Sequence, residues 1–133
     1  MRSERMTTWG DVQKHMRSRF RLQDDEPDMM SMVWTYEDER SQKIIVRKYM
    51  AANRDMVEFK SAFARKGDVD PLVLLEDNSK LPLATVALSG SVYLVIYNAL
   101  LDHLDIGDFD FILSRVAAVA DALEEKYVRR DEF

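Results

Sequence analysis

Residues 70–98 read DPLVLLEDNSKLPLATVALSGSVYLVIYN, and this one run holds a capped helix, a break and two alternating segments. Asp70 can accept bonds from the free N–H groups of a first helical turn, and Pro71 has its φ pre-set for the first helical position. Leu72, Val73, Leu74 and Leu75 follow as a short apolar helix, which Asn78-Ser79-Lys80 and Pro82 break. Beyond the break, residues 83–88 and 91–98 flank Ser89-Gly90 and predict a β-hairpin. The stretch therefore discloses a fold and contains no set of catalytic side chains.

Upstream, Trp9, Val12, Met16 and Phe20 recur at helical spacing and predict a first helix over 8–20, with Thr7 or Thr8 as its cap. Asp24-Asp25-Glu26-Pro27-Asp28 reads as a solvated connector, because charge and proline together oppose regular structure. Residues 29–37 then alternate, placing Met30, Met32, Trp34 and Tyr36 on one face. Segments 42–51 and 56–64 complete an antiparallel meander, with Val57, Phe59 and Phe63 opposing Glu58 and Lys60. Downstream, Phe109, Ile112, Val116, Val119, Leu123 and Tyr127 recur at three and four. They predict a long final helix, capped by Asp105 or Asp108, that ends near Tyr127.

The fold class is thus α+β: a helix, a three-strand antiparallel meander, a helix, a two-strand hairpin and a long C-terminal helix. A five-stranded sheet with helices on one face is expected, leaving apolar surface from Ile44 or Ile45, Tyr93, Val95 and Tyr97 on the other face or at an edge. A length of 133 residues suits a single domain, 1–133, with residues 1–7 and 129–133 expected to fray.

Cysteine is absent, which removes disulfides, thiolate metal sites and cysteine nucleophiles. The formal charge of −5, from 24 acidic and 19 basic residues, argues against nucleic acid as a partner. Lys14, Arg17, Arg19 and Arg21 gather instead around the end of the first helix, where they complement its dipole. No signal-like run opens the chain and no segment approaches the ~20 apolar residues of a membrane span, so no membrane partner and a cytoplasmic location are expected.

Candidates for chemistry are few. His15 lacks a nucleophile nearby in sequence, and His103 lies among Asp102, Asp105, Asp108 and Asp110, whose spacing lacks the glycine and terminal glutamate of an EF-hand loop. Helix capping explains those carboxylates, and neither a metal nor a cofactor is expected. The eight methionines include Met30 and Met32 at strand spacing, read as core. An adaptable peptide groove is the alternative reading of the methionines.

Leu72-Val73-Leu74-Leu75-Glu76-Asp77-Asn78 followed by the 83–96 hairpin, Arg40-Ser41-Gln42 before the 44–46 strand, and Ala120-Asp121-Ala122-Leu123-Glu124 in the last helix resemble the bacterial type III secretion chaperone-like fold and its YbjN-type relatives. The resemblance spans about residues 9–127. It implies a small, acidic, non-enzymatic homodimer that binds an extended segment of a partner protein. It also implies a dimer or partner surface on the second helix and last hairpin, here Leu72, Leu75, Val86, Leu88, Tyr93, Val95 and Tyr97. The alternative is a small-ligand or metal-responsive regulatory module using His103 and the 102–110 carboxylates.

Overall fold

Local capping chemistry starts each helix. In the computed structural model, which describes residues 6–133, α1 (Trp9–Arg19) begins at Thr8. The Thr8 hydroxyl accepts from the Asp11 N–H, and the Asp11 carboxylate accepts from the Thr8 N–H. This reciprocal pair satisfies two of the amide groups that a helix N-terminus leaves open. α2 (Pro71–Asn78) starts from Asp70, as its Asp-Pro signal requires. α3 (Ile106–Tyr127) starts from Asp105, which accepts from the Gly107 N–H, while Asp108 lies inside the first turn.

The strands are β1 (Asp24–Glu26), β2 (Met29–Thr35), β3 (Ser41–Ala51), β4 (Arg54–Arg65), β5 (Thr85–Ser89) and β6 (Val92–Leu100). All neighbours pair antiparallel in one sheet of order β1-β2-β3-β4-β6-β5. Ala52 and Asn53 join β3 to β4 with φ of 52° and 62°, the left-handed pair that matches hairpin twist. The fold class is the α+β arrangement expected, with one strand more than the five anticipated.

That extra strand is β1, in the acidic stretch read as a connector. Its charges are engaged locally: Arg17 donates twice to Asp25, Lys43 lies 3.2 Å from Asp24, and the Ser31 hydroxyl donates to Asp24. Pairing with β2 then costs little, and Pro27-Asp28 is left to form the turn. A second difference lies in β6, which continues to Leu100 before a short 3₁₀ turn at Leu101–His103.

The core lies between the sheet and the helices α1 and α3. Val12 and Met16 from α1, Met30, Met32, Ile44, Val46, Val57 and Phe59 from the sheet, and Phe109, Leu113, Val116 and Ala120 from α3 form one buried cluster. Phe59 contacts both layers, with its ring 5.1 Å from that of Phe109 and 6.1 Å from that of Tyr97. A β-bulge between Ala62 and Ala64 lets Phe63 and Ala64 both turn inward. Beside it, the buried Gln42 side chain donates to the Ala62 carbonyl.

The C-terminal segment is docked where fraying was expected. Glu124, fully buried on α3, accepts from the N–H groups of Glu132 and Phe133, and Asp131 accepts from the Ser41 N–H. Arg65 pairs with Glu132 and stacks over the Phe133 ring at 5.2 Å. Of the N-terminal residues expected to fray, 1–5 lie outside the described ones, whereas the Thr7 hydroxyl donates to the Leu104 carbonyl.

Candidate functional site

Several apolar side chains meet solvent at the end of the sheet that carries β5, as Val33, Met50 and Phe111 do singly elsewhere. Leu72 and Leu75, three apart on α2, are 68% and 63% exposed, and Leu88 on β5 is 48% exposed. Val73 and Leu83 add to the same end. Helix geometry explains the set, since Leu74 alone of the four apolar α2 positions turns inward and is buried.

The seven residues expected to form a dimer or partner surface therefore divide. Leu72, Leu75 and Leu88 are exposed, the first two on α2 and the third on the strand that α2 packs beside, and Val86 of that strand is partly buried. Tyr93 and Val95 are core residues, 4% and 0% exposed, so they offer no free surface; Tyr93 stacks on Phe63. Tyr97 is partly buried against Phe59. The error is one of register within VYLVIY: a continuous apolar run has no alternation to say which set faces the helices. The outer sheet face carries Leu94 and Ile96 instead, which pair across to Ala87 and Thr85. Of the alternatives left open on β3, Ile44 is core and Ile45 lies on the outer face.

Most of that outer face is polar. Arg47 donates to Glu58 at 3.2 Å, Lys60 reaches Glu58 at 3.0 Å, and the Tyr49 hydroxyl donates to Asn98. Burial opposes the Glu58 charge, but these two cations outweigh it and hold the carboxyl below its ordinary range.

The titratable clusters are engaged in structural pairs. His15 lies 2.8 Å from Asp110 and edge-on to Phe109, and Arg19 also reaches Asp110. Asp102 accepts from Arg54, and Asp105 caps α3. His103 is exposed, 3.8 Å from Asp102. Lys14, His15, His103 and Asp105 do line one open cleft between α1 and the start of α3, of about 670 Å³. Among the described residues, its polar groups form no nucleophile, base and orienter in sequence of contact.

Among the described residues, the carboxylates that converge tightly enough for a cation are Asp121, Glu124 and Asp131, not those of 102–110. Arg40 already reaches this cluster, 3.0 Å from Asp121 and 3.4 Å from Glu124. Burial pushes Asp121 and Glu124 above their ordinary carboxylate range in spite of Arg40. The resemblance had already named Leu72 and Leu75, but no sequence signal announced the Glu124 pairing with residues eight and nine further on.

No family model matches the chain, and no curated protein matches it in sequence. Among solved structures it is similar to one described as the crystal structure of the ExsC–ExsE complex. The TM-score is 0.64 at 9% identity, covering 92% of this chain and 97% of that one. At that identity the likeness is one of fold, and it establishes a chaperone-like α+β arrangement over nearly the whole chain. No helix among the described residues is long and apolar enough to cross a membrane.

Proposed function

We propose that this chaperone-like fold is a cytoplasmic, non-enzymatic, homodimeric protein-binding module, of the type III secretion chaperone or YbjN kind, that holds an extended segment of a partner protein. The observation that carries the reading is the exposed leucine set at the α2 and β5 end, Leu72, Leu75 and Leu88. Single exposed apolar residues are ordinary, but several leucines gathered at one sheet edge mark an association surface. That the similar solved structure is a complex of two different proteins supports a protein partner.

The metal-responsive alternative has less behind it. His103 and the 102–110 carboxylates do not converge, and capping or ion pairing occupies Asp102, Asp105 and Asp110.

Light scattering on the purified protein, followed by a pull-down from native lysate, tests the reading. A mass twice that of the chain is expected, falling to the chain mass in Leu72→Asp with Leu75→Asp, while circular dichroism stays that of the parent. Retention of one abundant polypeptide by the parent and its loss from the double variant would identify the client. A monomeric parent that retains nothing would overturn the proposal.

A further inference from the structure

β5 is an edge strand, and an edge strand ordinarily presents alternate N–H and C=O groups that accept another strand. Here those of Val86, midway along the strand, are already occupied. The side-chain amide of Asn78, at the end of α2, faces Val86: its Oδ1 accepts from the Val86 N–H at 2.7 Å, and its Nδ2 donates to the Val86 carbonyl at 3.3 Å. In an antiparallel ladder a residue exchanges both bonds with one partner residue, so the Asn78 amide stands where the backbone of an added strand would.

Alternation places Ala84 and Leu88 on the same outward side as Val86. The Ala84 N–H donates instead to the Pro82 carbonyl at 2.8 Å, across Leu83 with φ of 70°. A bond from residue three to residue one across a positive φ is a γ-turn, an uncommon geometry for leucine that turns the chain away from the sheet. Leu88 is thus the one outward position on β5, among the described residues, that keeps its main chain open.

We infer that Asn78 seals the outer edge of β5 at Val86 against strand addition, so that a second copy of this protein meets this end through the side chains of Leu72, Leu75 and Leu88 and not as an added strand. The inference deepens the protein-binding reading by assigning the kind of contact its surface permits. A partner segment that binds as an added strand must pair elsewhere on the sheet.

Hydrogen exchange followed by NMR on the isotope-labelled full chain tests the seal. In the parent, the Val86 amide exchanges far more slowly than that of Leu88. Asn78→Ala accelerates Val86 by about tenfold or more, because an edge amide without a partner opens to solvent. In the same variant the opened edge recruits further chains, so the mass by light scattering grows with concentration beyond that of the parent, and thioflavin binding appears. Asn78→Asp provides a second variant should the alanine form not fold: its carboxylate still accepts from Val86 but cannot donate to the carbonyl, so Val86 stays slow.

Equal exchange at Val86 and Leu88 in the parent overturns the seal. Lost protection in Asn78→Ala with mass and thioflavin response unchanged overturns its role in directing association. Either result leaves the Leu72 and Leu75 experiment standing, and a monomeric parent leaves the Val86 exchange rate untouched.

Discussion

At the residue scale, the side chains that matter most here are polar ones given a local partner. Glu58 is nearly buried on the outer sheet face, where burial works against its charge and Arg47 and Lys60 work for it. Its folded pKa is lowered, so its contribution is present above the unfolded value and is lost as pH falls through the folded one. Glu58→Gln therefore lowers stability by about 1–2 kcal/mol near pH 7. Urea midpoints of variant and parent converge as pH falls below the lowered folded pKa of Glu58, where the parent carboxyl is itself protonated. Glu124 has the opposite sign: its pKa is raised by burial, so its charge opposes folding increasingly as pH rises above the ordinary carboxylate value. Alternation in the sequence put Glu58 and Lys60 on the face opposite Val57 and Phe59; Arg47 follows from cross-strand register.

At the element scale, the short pieces are held by their neighbours. α2 has eight residues, too few for an isolated helix, and is fixed by its Asp70 cap, by Leu74, and by contacts of Asp77 with Tyr127 and Lys126 of α3. The docked C-terminal segment depends similarly on Glu124, Arg65 and Ser41. Glu124→Ala removes the acceptor for two amides, so the Glu132 and Phe133 N–H groups lose protection. Trypsin then clips the variant after Arg129 or Arg130 several-fold faster than the parent, as mass spectrometry of timed samples reads; equal clipping would mean that Glu124 does not hold the segment. Neither attachment was legible along the chain. Asp70-Pro71 announced where α2 starts, while a five-residue charged tail gave no sign of a partner.

At the scale of the whole molecule, one layer of helices on one sheet face leaves an outer face and two edges to be managed. The helix face is fastened through Phe59, which touches rings from β6 and α3. Phe59→Ala costs about 3–5 kcal/mol, read as a single cooperative denaturant transition shifted to lower midpoint. Ion pairs of Glu58 with Arg47 and Lys60, and Tyr49 with Asn98, make the middle of the outer face polar. The edges differ: β1 is three residues long and acidic, whereas β5 is sealed by Asn78 and flanked by exposed leucines. The exposed leucines on which the proposed association rests consequently sit at one end of the sheet.

The chain alone determined the three helices, the meander, the hairpin and the cap at Asp70, and narrowed the other caps to Thr7 or Thr8 and Asp105 or Asp108, because periodicity and capping chemistry act over a few neighbouring residues. It also determined that Leu72 and Leu75 would share a side of a short helix. Tertiary structure decided what depends on distant neighbours. It turned an acidic connector into β1 by supplying Arg17 and Lys43. It buried Tyr93 and Val95, because an unbroken apolar run acquires an inside only when a helix packs against one of its faces. It also set Asn78 against Val86, since a side-chain amide can stand in for a strand only after helix and sheet have met.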